Sequence, residues 1–236
     1  MTTRDPQATA LARLAALFAD ETRAACLLAL LDGRAWTAGE LARHAGVAAS
    51  TLSEHLGRLV AGGLLTEERQ GRHRYVRLAD ARTAQLVEDL AAQVSPGAAA
   101  RPRSLRESSA GSAMARGRTC YDHLAGRLGI AVTDALTRRG LLRQDTGFAL
   151  TEAGLAWFAS AGIVLAAHGR RPLARSCLDW TERRPHLAGV AGAALCRHAL
   201  DAGWCVRIGS ERAVKVTADG ERALSDLLGV EPAELR

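Results

Sequence analysis

The sequence predicts a mainly α-helical protein with small β-hairpin wings, divided into two domains. The chain has 236 residues, and typical domains hold about 100–200 residues. Apolar residues recur at helical spacing along most of the chain. A short pattern also occurs three times: a glycine that ends a helix, two β-prone runs, and then a helix start. This pattern predicts a hairpin between two helices in each copy.

Breakers and composition predict the domain boundaries. A strong breaker, Ser95-Pro96-Gly97, ends the first domain, which we expect to span residues 1–97. Residues 98–118 contain five arginines and many small residues, so we interpret them as a basic linker or a weak helix. Residues 119–236 are apolar and periodic again, and we expect them to form a C-terminal α+β accessory domain. The repeated pattern leaves open whether this second domain also resembles a winged helix.

A helix-turn-helix motif is predicted near residue 45. Thr37 and Glu40 have the spacing of a capping box, which starts a helix that runs to about His44. The segment Ala45-Gly46-Val47 then forms a tight turn, with glycine at a position that favours a positive φ. We expect a second helix to begin near Ala48.

The second helix of this motif has an apolar face and a polar face. Its apolar residues fall at helical spacing: Leu52, Leu56, Leu59 and Val60. Its opposite face carries small hydroxyl and charged residues: Ser50, Thr51, Ser53, Glu54, Gly57 and Arg58. Small polar side chains permit close approach to a duplex and bond with bases or phosphates, so this face is a candidate for DNA contact.

A basic hairpin is predicted directly after this helix. Leu64–Glu68 and Arg72–Leu78 are strand-like, and Gln70-Gly71 forms the turn between them. Four arginines and no acidic residue lie between Arg69 and Arg77. Such a hairpin suits phosphate contact or insertion into the minor groove. The net charge of +6 is weak evidence for an anionic partner, and its concentration on this hairpin is more informative.

In this order, the motifs of residues 7–97 resemble the ArsR/SmtB-type winged helix-turn-helix repressors of bacteria. The resemblance rests on Phe18-Ala-Asp-Glu-Thr-Arg23, Thr37-x-x-Glu-Leu-Ala, Ser50-Thr-Leu-Ser-Glu-His-Leu56, Ala61-Gly-Gly-Leu-Leu65 and Arg69-x-Gly-Arg-x-Arg-Tyr75. It implies a sequence-specific DNA-binding regulator. The candidate DNA-binding residues are Thr37, Ser50, Thr51, Ser53, Glu54, His55, Arg58, Arg69, Arg72, His73 and Arg74. For His55, base contact and packing within the protein are both open.

The resemblance also implies a homodimer that binds a pseudo-palindromic operator in double-stranded DNA. The family dimerises through its first and last helices, and two apolar stripes fit that role, at 7–19 and 80–94. Packing of the same stripes within one chain is the alternative.

The C-terminal half resembles an accessory domain of longer members of this family. The resemblance rests on Cys120-Tyr-Asp-His-Leu-Ala-Gly126 and on the segment from Cys177 to Gly189. We expect Cys120 and His123 to share one face of a helix, and Pro185 to open the helix after it. The candidate effector-binding residues are Cys120, His123, Cys177, Asp179, Trp180 and His186. Core packing of these residues, with Asp179 paired to Arg183 or Arg184, is the alternative.

The remaining patterns exclude several classes of protein. The family's usual metal-ligand sets are missing from the N-terminal helices, so we expect neither metal nor cofactor. No common catalytic motif is present, so we do not expect an enzyme. Five cysteines without a CxxC pair, and no export or membrane segment, favour the cytoplasm. We therefore expect a homodimeric repressor with a C-terminal domain that senses a small-molecule or thiol-reactive effector. The alternatives are a metal or redox sensor using the C-terminal Cys and His residues, and a constitutive DNA-binding protein.

Overall fold

The computed structural model describes residues 5–70, 73–94, 105–145, 147–166, 171–210 and 212–235. The chain divides into two compact units, Met1–Val87 and Glu88–Arg236. The boundary expected at residue 97 lies outside the described residues. Within the described ranges, no helix is both long and apolar enough to cross a membrane.

The N-terminal unit is helical with one small sheet. Its helices are α1 (Pro6–Phe18), α2 (Glu21–Ala29), α3 (Ala38–Ala45) and α4 (Ala49–Ala61), with a 3-10 turn at Leu30–Asp32. Its strands are β1 (Trp36–Thr37), β2 (Leu65–Gln70) and β3 (His73–Leu78), in the antiparallel order β1-β3-β2. Helix α5 (Ala81–Gln93) follows, and the division between the units falls inside it. The predicted helix-turn-helix and hairpin are thus confirmed.

Side chains near the helix ends hold the N-terminal unit in this arrangement. Asp20 caps α2 by accepting a hydrogen bond from the backbone N–H of Arg23 (2.9 Å). The buried Arg23 guanidinium donates to the carbonyl oxygens of Leu17 (2.8 Å) and Ala16 (2.7 Å), which satisfies the end of α1. The predicted capping box at Thr37 and Glu40 is present at the start of α3. The Asp-Glu-Thr-Arg segment of the sequence motif therefore caps α2, forms its first turn and ties it to the end of α1.

The C-terminal unit alternates short hairpins with helices. Its helices are α6 (Leu105–Arg116), α7 (Gly126–Arg138), α8 (Glu152–Ser160), α9 (Gly189–Asp201) and α10 (Ala218–Leu228). Its antiparallel strand pairs are β4 (Arg118–Cys120) with β5 (His123–Ala125), β6 (Leu142–Arg143) with β7 (Ala149–Leu150), β8 (Arg175–Leu178) with β9 (Pro185–Ala188), and β10 (Cys205–Arg207) with β11 (Val214–Val216). A 3-10 turn follows at Pro232–Leu235.

These elements form two copies of one motif: hairpin, helix, hairpin, helix. The sequence His-Leu-Ala-Gly ends the first hairpin of each copy, at His123–Gly126 and at His186–Gly189. Both final glycines have positive φ, 71° and 84°, and start the helix that follows. In both copies the second hairpin leads into a helix capped by a threonine, Thr151 or Thr217, as predicted. The second and third copies of the sequence pattern therefore form hairpins between helices.

The two copies pack against each other around one apolar core. Gly129 in α7 and Gly192 in α9 occupy equivalent positions. A Cβ on Gly192 would lie 3.2 Å from the Cβ of His123, and one on Gly129 would lie 3.8 Å from the Cβ of His186. The first turn of each helix therefore approaches the histidine of the other copy. This reciprocal contact brings the two His-Leu-Ala-Gly segments together in the centre of the unit.

Candidate functional site

Helix α4 has the two faces that its sequence predicts. Leu52, Leu56 and Leu59 are completely buried. Ser50, Thr51, Ser53, Glu54 and Arg58 are exposed along the opposite face, where Arg58 donates to Glu54 (2.6 Å). Helix α4 begins after a turn in which Gly46 has φ of 71°. Its outer surface is thus a continuous polar strip.

The hairpin β2–β3 carries the predicted basic residues, which differ in their solvent exposure and ion pairing. Arg69 is exposed and pairs in register with Arg74. Arg74 is half-buried and forms an ion pair with Glu67. Arg72 lies outside the described residues, and only the backbone of His73 is described. Among the described wing positions, Arg69 and Arg77 are therefore the exposed cations that can contact phosphate.

Two other candidate DNA-binding residues are engaged inside the protein. The Thr37 hydroxyl accepts from the Glu40 backbone N–H (3.2 Å) and donates to the Glu40 carboxylate (2.9 Å). His55 Nδ1 lies 3.4 Å from both Asp20 Oδ1 and Arg23 Nη1. These contacts favour the packing alternative for His55.

Four buried side chains in the C-terminal unit converge on one point: Cys120, His123, Cys177 and His186. Their ligand-type atoms all lie within 4.8 Å of one another. The two Sγ atoms are 3.9 Å apart, and the two Nε2 atoms are 3.1 Å apart. Each copy of the motif supplies one cysteine and one histidine. This geometry is compatible with the metal- or redox-sensing alternative.

The local structure around these residues differs from the sequence prediction. Cys120 and His123 do not share a helix face, because they pair across the hairpin β4–β5. Tyr121 has φ of 59°, and with Asp122 it closes a two-residue turn that reverses the chain. Pro185 does not open a helix, since it is the first residue of β9 and α9 begins at Gly189. The spacing of Cys120 and His123 is compatible with a helix face, but the left-handed conformation of Tyr121 is not.

Each imidazole turns its second nitrogen toward a carboxylate. His123 Nδ1 lies 3.4 Å from Asp122 Oδ1, and His186 Nδ1 lies 3.7 Å from Asp179 Oδ2. Arg171 holds Asp122 from the outer side with two hydrogen bonds (2.6 and 2.9 Å). Both Nε2 atoms therefore face the centre of the cluster, and both Nδ1 atoms face a carboxylate.

A buried ionic network, which the sequence did not predict, surrounds the cluster. Glu88 is 1 % exposed, and its carboxylate accepts from Cys120 Sγ (2.9 Å) and from Arg212 Nη2 (2.5 Å). Arg118 is completely buried, with its Nε 3.3 Å from Glu88 and its Nη2 3.0 Å from Asp179. Arg118 lies between two buried acids that are far from it in the sequence. No local sequence pattern shows contacts over such distances, so the sequence contains no signal of this network.

Two of the predicted effector residues belong to this network. Asp179 accepts from Arg118 and from the backbone N–H of Gly126 (2.7 Å). Trp180 donates from Nε1 to Glu88 (3.1 Å), and its ring lies 5.3 Å from the Arg118 guanidinium carbon. The carboxylate of Asp179 thus pairs with Arg118, whereas Arg184 pairs with Asp134 (2.8 Å).

The protonation of the two thiols is strongly linked. The hydrogen bond between them, with burial and the Glu88 carboxylate, raises the pKa of Cys120 above its ordinary value. The same hydrogen bond, together with the two imidazoles, lowers the pKa of Cys177 to about 2 against the effect of burial. Burial also opposes ionisation of Asp179, but the Arg118 guanidinium outweighs it and lowers the pKa of that carboxyl.

Comparison with known proteins identifies relatives for both units. A family model described as a helix-turn-helix domain matches residues 18–68, which include α3, the turn at Gly46 and α4. The HTH-type transcriptional regulator YdfF of Bacillus subtilis is 40 % identical over 223 residues. The alignment covers 93 % of this chain and 97 % of that relative.

Shorter relatives match less of the chain. The HTH-type transcriptional regulator CmtR of Mycobacterium tuberculosis is 40 % identical over 90 residues, covering 38 % of this chain and 75 % of CmtR. The solved structure of the cadmium metal-sensor CmtR from that organism is 38 % identical, covers 38 % of this chain and 99 % of its own, and has a TM-score of 0.31. The solved structure of the transcriptional repressor BigR from Xylella fastidiosa is 28 % identical, covers 39 % of this chain and 92 % of its own, and has a TM-score of 0.35.

Proposed function

The chain belongs to the HTH-type transcriptional regulators, and on that premise we propose a homodimeric repressor whose C-terminal unit senses an effector. Helix α4 lies in the major groove of the operator, and the hairpin β2–β3 contacts the adjacent phosphates. The observation that carries this proposal is the polar strip on α4, with exposed Ser50, Thr51 and Ser53 opposite three buried leucines. Small hydroxyls at the start of such a helix reach base edges.

The wing contact is tested by the salt dependence of DNA binding. Arg69→Ala removes an exposed cation from the hairpin. Each lost phosphate contact reduces the slope of log K against log salt by about 0.9 for B-form DNA. Fluorescence anisotropy with an operator selected from random duplexes, at several salt concentrations, measures this slope. Arg143→Ala is the matched control, because Arg143 is an exposed arginine of the C-terminal unit (side chain 59 % exposed). An unchanged slope in Arg69→Ala contradicts phosphate contact by the wing.

Base contact by α4 is tested separately. Ser50→Ala and Ser53→Ala remove exposed hydroxyls without touching the buried face. Loss of a base contact changes the preference at that operator position by about 1–3 kcal/mol. Selection of operators by each variant, followed by sequencing, measures the preference. An equal loss of specific and non-specific affinity contradicts base contact.

We assign the homodimer interface to apolar side chains that are exposed on α1, on α5 and directly after α5. Leu11 is 65 % exposed, Leu90 43 % and Val94 65 %. We expect Leu11→Glu to shift sedimentation from dimer toward monomer and to weaken operator binding, because two half-sites bind together only through a dimer. Val164→Glu is the control, since Val164 is 75 % exposed in the C-terminal unit. An intact dimer in Leu11→Glu contradicts a dimer interface on this face of α1.

The sensing role rests on the buried cluster and on Glu88. Two thiols and two imidazoles converge on one point in the C-terminal unit, which gives an effector four ligand-type atoms to bind. Glu88, a residue of α5, is hydrogen-bonded to Cys120 of the cluster. An effector shifts the protein between two states only by the difference in its affinity for them.

Repression is tested with a reporter gene that carries the selected operator. Deletion of the gene for this protein is expected to raise expression of the reporter, and lowered expression contradicts repression.

A further inference from the structure

We propose that Cys120, His123, Cys177 and His186 form a tetrahedral site for a zinc-class divalent ion, and that this ion is the effector. The inference rests on the proposed regulatory function for the ion's role, but the site itself rests only on geometry. The four residues are 0–6 % exposed, and each presents one ligand atom to a common centre.

The distances agree with tetrahedral coordination. With Zn–S of about 2.3 Å and Zn–N of about 2.0 Å, tetrahedral angles place two sulfurs about 3.8 Å apart and two nitrogens about 3.3 Å apart. The structure has 3.9 Å between the Sγ atoms and 3.1 Å between the Nε2 atoms. A disulfide needs about 2.05 Å between the sulfurs, and all five cysteines, each within the described ranges, are thiols. Two sulfur and two nitrogen ligands in this geometry are typical of zinc.

The second layer of contacts orients both histidines for a metal. A metal-binding histidine commonly presents its other ring nitrogen to a carboxylate, which fixes the ring and raises its basicity. Asp122 faces His123 Nδ1, and Asp179 faces His186 Nδ1. His186 Nδ1 is completely buried and has no hydrogen-bond partner among the described residues. Without an ion, the two facing Nε2 atoms share one proton between them. A bound ion accepts a lone pair from each of them.

The charges balance when the ion is divalent. Two thiolates and one divalent ion are neutral together, which suits a buried site. The surrounding acids, Glu88 and Asp179, are matched by Arg118 and Arg212. A trivalent or monovalent ion would leave one net charge in the interior.

Occupancy changes the contact with Glu88. The Cys120 thiol donates to the Glu88 carboxylate (2.9 Å). A coordinating cysteine is a thiolate and has no proton to donate, so this hydrogen bond is lost on metal binding. Glu88 lies on α5 and is the first residue of the C-terminal unit. Metal binding therefore removes a hydrogen bond from Glu88.

The decisive experiment titrates the reduced, untagged full chain with Co²⁺ and then with Zn²⁺. We expect one Co²⁺ per chain, with the intense visible bands of tetrahedral cobalt and a thiolate charge-transfer band, all removed by Zn²⁺. Cys120→Ser and Cys177→Ser abolish this spectrum, whereas Cys196→Ser keeps it, because Cys196 is an equally buried cysteine outside the cluster. Asp122→Asn keeps the spectrum and lowers metal affinity about 10–100-fold, as loss of an orienting carboxylate does. The wild-type spectrum tests the site even if a ligand variant does not fold.

The outcomes separate the site from the regulatory role. The absence of a tetrahedral Co²⁺ spectrum in the folded wild-type chain overturns the proposal, as does ready formation of a Cys120–Cys177 disulfide in a chain that binds no metal. With metal bound, we expect a change in operator affinity of about 5–150-fold. Metal binding with unchanged operator affinity overturns the effector role. A chain that binds metal but no DNA in either state contradicts the proposed function and leaves the site intact.

Discussion

Asp179→Asn tests whether the buried ionic network stabilises the C-terminal unit. Oδ1 of Asp179 accepts from Arg118 Nη2 (3.0 Å), from the Thr181 backbone (2.9 Å) and from the Glu182 backbone (3.0 Å), while Oδ2 accepts from Gly126 (2.7 Å). An asparagine replaces one of these oxygens by an NH2 group that faces donors in either orientation. It also removes the negative charge beside a completely buried guanidinium.

The expected loss is large because the pair is completely buried. Removing one partner of a buried ion pair typically costs about 3–5 kcal/mol, since the other charge stays without compensation. Arg118 keeps Glu88 as a counter-ion, so we expect the lower part of this range, about 3 kcal/mol. Asp134→Asn is the matched control. Asp134 pairs with Arg184 at 2.8 Å, but both side chains are partly exposed, and such a pair is worth less than about 1 kcal/mol.

Urea unfolding followed by tryptophan fluorescence measures both variants. Trp36 is the one tryptophan of the N-terminal unit, so a Trp36→Phe background restricts the signal to the C-terminal unit. The midpoint of Asp179→Asn is expected well below that of Asp134→Asn, with similar slopes. A loss in Asp179→Asn no larger than in Asp134→Asn refutes the stabilising role assigned to the network.

Further predictions concern packing and capping. Thr37→Ala removes the capping box of α3 and is expected to cost about 1 kcal/mol, measured by thermal unfolding; no loss would show that Thr37 has no structural role. Leu59→Ala is expected to cost about 2–5 kcal/mol, because its side chain is completely buried; a loss below about 1 kcal/mol would contradict this core position. Gly192→Ala places a Cβ 2.5 Å from the Leu187 carbonyl oxygen, so we expect it to destabilise the C-terminal unit. Gly57→Ala, on the exposed face of α4, places a Cβ with no neighbour within contact distance and is expected to be tolerated. Equal stability of these two glycine variants would contradict the close approach of α9 to the Leu187 carbonyl.

The sequence predicted what depends on local patterns. Capping signals at Thr37, Thr151 and Thr217, the helix-turn-helix and the wing all rest on residues within a few positions of each other, and all were confirmed. The sequence also places all four cluster residues among its candidates for effector binding, and that role stays a prediction. Their secondary structure was predicted wrongly, because a spacing of three fits both a helix face and a tight hairpin, and Tyr121 gives no signal of a left-handed turn.

Contacts over long sequence distances were not predictable in this way. Glu88 and Arg212 are 124 residues apart, and no periodicity connects them. The repeated His-Leu-Ala-Gly segments were a signal that indicated a duplicated motif. Two equivalent hairpins that pack together bring their own cysteines and histidines into one cluster, so recognition of the duplication would have predicted it.

The split origin of the cluster has a consequence during synthesis. Cys120 and Cys177 are 57 residues apart, and His123 and His186 are 63 residues apart, with one of each pair on each copy of the motif. At about 5–20 residues per second, several seconds separate the emergence of the two halves from the ribosome. Until the second hairpin arrives, a nascent chain holds only two of the four ligands. The cluster can therefore form only after translation has passed β9. A chain truncated before β9 carries the DNA-binding motif but not the complete cluster.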